Sequence, residues 1–284
     1  MIQINPKFPL NLPEGIQWNE VDNCFDFVDI EAGRFYQYFT SSKTTFLRKS
    51  FGKTVGWTFR TSGSNFIVGL KNEILIWNPI SDEIKILLNI SMSPTQRLND
   101  AFLDEHGKIW FGIMSSSPEG EIDDGFLCSF YKGQFVIEDF SYQIPNGPVL
   151  SFDKRSLLHS DSLKGILYRY PYQNGVINRE EREIVLDVSD LNASPDGMCL
   201  DSTGCIYIAM WGIGEVWVLE PNFSLKSKIK VPFKFVSNVA LGGKDLNDLV
   251  VTYAEDVNAG ISGGLYHVPS IAVSGLIQST WNED

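Results

Sequence analysis

The hydrophobic positions of this 284-residue chain are grouped in short β-rich runs that recur along its length. Successive runs begin roughly 40–50 residues apart, a spacing typical of four-stranded propeller blades. A second run follows each of them and ends in an aromatic residue or proline, and in most copies a turn suited to a tight hairpin separates the two runs. The first set comprises CFDFVDI (24–30), FIVGL (66–70), KIWFGIM (108–114), SLLHSD (156–161), CIYIAM (205–210) and DLVVTYA (248–254).

Six such units predict an all-β fold, a six-bladed β-propeller in which residues 1–284 form a single domain around a central channel. Seven blades would leave too few residues for each blade. Because a propeller closes on itself and needs no partner to cover a sheet edge, we expect a monomer.

One position of the repeat, about ten residues before each run of the first set, carries oxygen-bearing side chains in most copies. Equivalent positions of repeats that share an orientation lie around one axis, so these side chains should face one another in the channel. Three of them are followed by glycine, which adopts backbone conformations closed to other residues. In chain order the position holds Glu14, Val55 or Gly56, Asn99, Asn146, Asp196 and Ser237.

The three side chains followed by glycine predict a cation site. Two carboxylates and one amide are a hard-oxygen ligand set suited to Ca²⁺, Mg²⁺ or Mn²⁺, and Zn²⁺ can bind through carboxylates. Without a cation, the two carboxylates should repel each other and raise the pKa of one. A single Asn-Gly or Asp-Gly dipeptide is an ordinary turn sequence. The occurrence of all three glycine-containing dipeptides at the same position of the repeat, however, favours the ligand role. We therefore expect one divalent cation bound by Glu14, Asn146 and Asp196.

Composition excludes several other functions. The formal net charge of -12 should repel the phosphates of nucleic acid. No secretory signal and no apolar run of membrane-spanning length appear, and the four cysteines lack paired spacing, so we expect a cytoplasmic protein with free, buried thiols. The chain contains no complete phosphate-binding loop.

Four segments together resemble the senescence marker protein/regucalcin/gluconolactonase family, in the family's order and spacing. The resemblance implies a six-bladed propeller with one divalent cation in the channel and, in many members, hydrolysis of sugar lactones. It places the metal ligands on Glu14, Asn146 and Asp196, and substrate contacts on Arg97, Asn99 and Asp100. The segments are PEGIQWNEVDNCFDFVDI (13–30), LNDAFLDEHGKIWFGIM (98–114), PNGPVLSFDKRSLLHSD (145–161) and PDGMCLDSTGCIYIAMW (195–211).

Departures from the family pattern leave the substrate open. Ala101 stands where glycine is usual, and His159-Ser160 stands where an aromatic and an aliphatic residue are common. The leading hypothesis is a metal-dependent lactonase that opens a lactone, expected to be a sugar lactone such as an aldonolactone, to the hydroxy acid. Asp196 is the first candidate for accepting the proton of the attacking water. The alternatives are a calcium- or small-molecule-binding propeller without turnover, and a metal-dependent hydrolase of a non-sugar cyclic ester. The polar segments 115–124 and 254–264 are interpreted either as hairpin tips or as substrate lids.

Overall fold

The computed structural model describes residues 2–4, 9–115 and 123–283. These residues form six antiparallel sheets, which confirms the all-β, six-bladed propeller. In chain order the strands are β1 (Ile2–Ile4); β2 (Pro13–Asn19), β3 (Cys24–Asp29), β4 (Arg34–Phe39) and β5 (Thr44–Ser50) of blade 1; β6 (Val55–Arg60), β7 (Phe66–Leu70), β8 (Glu73–Trp77) and β9 (Ile84–Asn89) of blade 2; and β10 (Gln96–Leu103), β11 (Ile109–Ser115), β12 (Gly125–Tyr131) and β13 (Gln134–Tyr142) of blade 3.

The second half of the chain repeats this arrangement. Blade 4 has a fifth strand and one 3₁₀ turn, Arg179–Glu181, between its last two strands. Blade 6 is completed by β1 from the other end of the chain. The strands are β14 (Pro145–Leu150), β15 (Ser156–Asp161), β16 (Ile166–Gln173), β17 (Val176–Ile177) and β18 (Glu183–Asp187) of blade 4; β19 (Ser194–Leu200), β20 (Ile206–Trp211), β21 (Glu215–Leu219) and β22 (Leu225–Lys230) of blade 5; and β23 (Val236–Gly242), β24 (Asp248–Tyr253) and β25 (Gly264–Val268) of blade 6.

The two sets of hydrophobic runs form the middle strands of the blades. The first set becomes β3, β7, β11, β15, β20 and β24, and the second becomes β4, β8, β12, β16, β21 and β25. The side chains of the first set are almost all buried, and those of the second set are mostly buried, because each sheet is covered on both faces by its neighbours. The outermost strands β5, β9 and β22 are largely exposed, so their hydrophobic pattern is weak.

The ring is closed by contacts between inner strands. The strands β2, β6, β10, β14, β19 and β23 each contact the next, and β23 contacts β2. The short strand β1 pairs with β25, where Ile2 lies opposite His267 and Ile4 opposite Leu265. Blade 6 therefore joins both ends of the chain. The described part of the chain contains no helix with the length and apolarity needed to cross a bilayer.

Candidate metal and substrate site

Every inner strand has a β-bulge at the position that the repeat predicted. At each bulge the inner strand advances one residue more than its partner, an irregularity that changes the direction of the side chains next to it. The bulge in each inner strand therefore lies at or next to the repeat position predicted to face the channel. The register shifts fall between Glu14 and Gln17, Val55 and Trp57, Leu98 and Ala101, Asn146 and Val149, Pro195 and Met198, and Val236 and Asn238.

The bulges bring distant oxygen-bearing side chains together in the channel. The Asn146 amide Nδ2 donates a hydrogen bond to Oδ1 of Asp196 in the next blade. The Asn238 amide Nδ2 donates to Oε2 of Glu14 (2.9 Å) and to Oδ2 of Asp100 (3.0 Å). All five side chains are buried, with 4–5% of each residue exposed. The cluster thus contains the three predicted ligands, one predicted substrate residue and one residue that the sequence analysis missed.

The missed residue is Asn238, because the repeat placed Ser237 in the blade 6 position. The Ser237 hydroxyl instead donates to the backbone carbonyl of Pro13 (2.6 Å) and shares a hydrogen bond with Thr252. The assignment of Ser237 to the channel position was therefore wrong by one residue. The amide type of Asn238, adjacent to the predicted position, was the available signal.

Glycine follows each of the three predicted ligands, for two different structural reasons. Gly15 and Gly147 have φ angles of 56° and 51°, the left-handed region that favours glycine. Gly197 does not have a positive φ, so the conformational explanation is wrong there. A Cβ atom on Gly197 would lie 2.1 Å from Cγ of Asn238. Glycine at 197 therefore makes room for the Asn238 amide.

The predicted substrate residues Arg97 and Asn99 form a fixed pair beside the cluster. The Arg97 guanidinium Nη1 donates to Oδ1 of Asn99 (2.6 Å) and to the carbonyl of Leu98 (3.0 Å). The Asn99 Nδ2 donates in turn to the carbonyl of Pro145 (2.9 Å), which precedes a predicted ligand. Burial lowers the pKa of Arg97, and the charges of Glu14 and Asp196 oppose that effect. Arg97 therefore places a cationic group within the field of the carboxylates.

Three buried carboxyl groups, those of Glu14, Asp100 and Asp196, lie close enough in the channel to affect one another's pKa. Burial, followed by the charge of Asp100, raises the pKa of Glu14 well above its usual range. Burial and the charges of Glu14 and Asp100 do the same for Asp196. Burial also raises the pKa of Asp100 to about 6. The folded protein therefore disfavours full ionisation of this cluster unless additional positive charge is supplied.

The donor set fits a divalent cation. Within residues 2–4, 9–115 and 123–283, no three His, Cys, Asp and Glu side chains are arranged to hold a metal by themselves, so a ligand set must include another donor type. The Asn146 amide lies beside Asp196, to which its Nδ2 donates, and its Oδ1 would supply the further oxygen ligand. Two buried, mutually repelling carboxylates and an amide oxygen are hard ligands of the kind that Ca²⁺ and Mg²⁺ prefer.

A cavity of about 260 Å³ adjoins the cluster. Asp100 and Asn238 line it, as do Leu276 and Ile277 from the C-terminal segment. Most of the remaining lining is apolar, including Phe102 and Met198. The hydrogen bond between Asp100 and Asn238 joins blade 3 to blade 6, on opposite sides of the ring. This bond therefore crosses the channel, and both of its residues line the cavity.

Two further polar side chains of blade 4, those of Asp161 and Ser162, make hydrogen bonds close to the cluster. The Asp161 carboxylate accepts hydrogen bonds from the backbone N–H groups of Gln143 and Ile144, both at 3.0 Å. The Ser162 hydroxyl donates to the carbonyl of Pro195 (2.7 Å) and accepts from Nδ2 of Asn146 (3.3 Å). Asp161 thus fixes the chain entering β14, and Ser162 helps to hold a predicted ligand.

Of the two candidate lid segments, only residues 254–264 are described in full. Residues 116–122 of the segment 115–124 lie outside the described residues. In the segment 254–264, the backbone of Asp256 pairs with that of Ile261, which fits a hydrogen-bonded hairpin tip.

His159 lies in β15, the second strand of its blade, and does not belong to the hydrogen-bonded cluster. Its ring is fully buried in an edge-on contact with Tyr142, with centroids 4.9 Å apart. Neither ring nitrogen has a hydrogen-bond partner among the described residues. Burial lowers the pKa of His159 from 6.5 to about 3.

We expect His159→Met to reduce the loss of stability in acid. The folded protein keeps His159 neutral, whereas the unfolded chain binds a proton below pH 6.5, so stability is lost as the pH falls from about 6.5 towards 3. At pH 4.5 this cost is about 3 kcal/mol, at about 1.4 kcal/mol per pH unit. Urea unfolding of metal-stripped proteins at pH 7 and pH 4.5 measures it. His106→Gln, in an exposed turn, should keep the wild-type loss, and an equal loss in His159→Met would contradict the prediction.

Comparisons with known proteins agree with this architecture. Residues 12–255 match the family profile described as the SMP-30/Gluconolactonase/LRE-like region. The chain is 28% identical over 255 residues to pentonolactonase XacC from Haloferax volcanii, covering 89% of this chain and 84% of that protein. It is 24% identical over 239 residues to regucalcin from Danio rerio, covering 84% and 81%. The crystal structure of the calcium-binding protein regucalcin from Agrobacterium tumefaciens has the same fold, with a TM-score of 0.91, 20% identity and coverage of 98% and 96%.

Proposed function

This chain belongs to the SMP-30/gluconolactonase/LRE-like family, and we propose that it is a lactonase that opens a small sugar lactone to the hydroxy acid with the help of one divalent cation. The observation that carries the proposal is the buried cluster of Glu14, Asn146 and Asp196 beside the Arg97–Asn99 pair. A relative named pentonolactonase supports the substrate class. The relatives named regucalcin, one of them described as calcium-binding, support the cation.

Glu14, Asn146 and Asp196 would hold the cation, which when bound supplies Lewis-acid polarisation of the lactone carbonyl. Asp196 is the first candidate for accepting the proton of the attacking water, and Glu14 is the second. In the metal-free protein, burial and neighbouring charges raise the pKa of both carboxyls. A bound cation would favour their ionised form, the form that can accept a proton.

Arg97 and Asn99 would orient the substrate. Arg97 can donate to ring or hydroxyl oxygens, and Asn99 has both donor and acceptor atoms. Because Arg97 and the carbonyl of Pro145 already fix the Asn99 amide, little side-chain freedom remains to be lost on substrate binding. A purely calcium-binding protein would not require this pair, so the pair favours turnover over binding alone.

The cysteines and the closed ring bear on the cellular setting. All four cysteines are buried and free, as expected for a protein that works in a reducing compartment such as the cytoplasm. The closed ring leaves no need for a partner to cover a sheet edge, so we keep the expectation of a monomer without nucleic-acid or membrane partners.

We expect acid release from at least one member of a lactone panel only when a divalent cation is present. The panel contains five- and six-membered lactones, sugar and plain, and is followed with a pH indicator using metal-stripped protein with Ca²⁺, Mg²⁺, Mn²⁺ or Zn²⁺ added back. Activity that is indifferent to chelator would contradict the metal-dependent mechanism. Tight cation binding without turnover would favour the binding protein, and hydrolysis of plain lactones alone would favour a non-sugar substrate.

A further inference from the structure

The Asn238 side chain has a fixed orientation in the channel. Its Oδ1 accepts the backbone N–H of Val239 at 2.8 Å. Its Nδ2 consequently faces the opposite way and donates to both Glu14 and Asp100. A flipped amide would place its oxygen, an acceptor, against the two carboxylates and its NH2 group against the N–H of Val239, so the network admits one orientation.

The hydrogen bonds to Glu14 are asymmetric. Among the described residues, both hydrogen bonds that its carboxylate accepts are made to Oε2, from the N–H of Gly15 (3.1 Å) and from Asn238 (2.9 Å). Oε1 is therefore the oxygen presented to a cation. Because one of the two donors is in blade 6, the rotation of the Glu14 carboxylate is set across a blade interface.

Asp100 is held in a different way from Glu14. Its Oδ1 accepts the N–H of Ala101 (2.9 Å), and its Oδ2 accepts Nδ2 of Asn238 (3.0 Å). Both oxygens are engaged, which makes Asp100 a fixed element on the cavity side of the cluster. This arrangement gives it a structural role in addition to the substrate contact predicted from the sequence.

The packing of Gly197 against Asn238 is a second, independent observation that supports a fixed position for the Asn238 amide. The residue directly follows the predicted ligand Asp196, and the Asn238 amide occupies the space that a Cβ atom would need. Its backbone conformation does not require glycine. The absence of a side chain at 197 is thus explained by the close approach of Asn238.

From these contacts we infer that Asn238 is a positioning residue, which turns Oε1 of Glu14 towards the cation and closes the channel beneath the site through Asp100. The inference rests on the proposed cation site. Residues that orient metal ligands in this way commonly change metal affinity about 10- to 100-fold when they are removed.

Calorimetric titration of Ca²⁺ into metal-stripped wild type, Asn238→Ala and Asn19→Ala tests the inference. We expect Asn238→Ala to weaken Ca²⁺ binding about tenfold or more. Asn19 is a matched control, a buried asparagine whose Nδ2 donates to the carboxylates of Asp22 and Asp26 and not to the channel cluster, so Asn19→Ala should keep wild-type affinity. At saturating cation, Asn238→Ala should recover most of its kcat, because the residue acts through Glu14 and not on the substrate.

Gly197→Ala displaces the same amide without removing it, and it carries the test if Asn238→Ala does not fold. We expect Gly197→Ala to weaken Ca²⁺ binding and to lower the melting temperature. In the double variant Gly197→Ala/Asn238→Ala, the clash is relieved, so Ca²⁺ affinity should equal that of Asn238→Ala alone. Wild-type affinity in both single variants, or effects that multiply in the double variant, would overturn the inference. A wild-type protein that binds no cation would overturn the proposed site together with it.

Discussion

Replacing Asp196 by asparagine is expected to abolish both cation binding and lactone hydrolysis without destabilising the metal-free protein. The pKa of Asp196 is raised by burial and by the charges of Glu14 and Asp100. A carboxyl group of this kind supports the folded state at low pH, and that support is lost as the pH rises through its pKa in the folded protein. The neutral amide removes this penalty at pH 8 and removes one of the two charges that balance the cation.

Three measurements check this expectation, with Asp161→Asn as a matched control. Calorimetry gives cation affinity, the pH indicator gives turnover, and thermal melting of metal-stripped protein at pH 8 gives stability. Asp161 is also a fully buried carboxylate, but it accepts two backbone N–H bonds. Asp161→Asn should therefore cost about 2 kcal/mol of stability and keep cation affinity. Normal turnover in Asp196→Asn would end the proposed mechanism.

The blades were predictable because their middle strands are buried on both faces. Hydrophobic runs such as 66–70 and 205–210 must be apolar along nearly their whole length, which makes the period visible. Strand β1 has only three residues, and its assignment to blade 6 depends on pairing with β25 at the far end of the chain. Local sequence does not encode such a partner.

The candidate site was predictable in its position and less so in its contacts. The common phase of Glu14, Asn146 and Asp196 placed them near one axis, and the bulges explain why they meet. The displacement of the blade 6 position from Ser237 to Asn238 depends on the local register of a single bulge. The bond from Asn238 to Asp100 crosses the ring, and no repeat pattern within one blade reports on a contact between opposite blades.

Arg97→Met is expected to lower kcat/KM about 100-fold, roughly 2.7 kcal/mol, while cation affinity does not fall. Methionine keeps much of the apolar stem but removes the cation that would bind lactone oxygens and that holds Asn99 through its Oδ1. Because Arg97 is positively charged and lies in the field of Glu14 and Asp196, its removal also removes a repulsion felt by a bound cation.

A lower kcat/KM without a loss of cation affinity distinguishes a substrate-orienting residue from a metal ligand. Steady-state kinetics at saturating cation measures kcat/KM, and calorimetry at pH 8 measures the cation affinity. Arg97→Lys is the matched control: it restores the charge without the planar fork, so it should recover cation affinity to the wild-type value and only part of the lost kcat/KM. If Arg97→Met binds the cation more weakly than wild type, the guanidinium supports the ligand cluster itself. If its kcat/KM is unchanged, the substrate is oriented elsewhere in the channel, and the Arg97–Asn99 pair no longer favours turnover over cation binding alone.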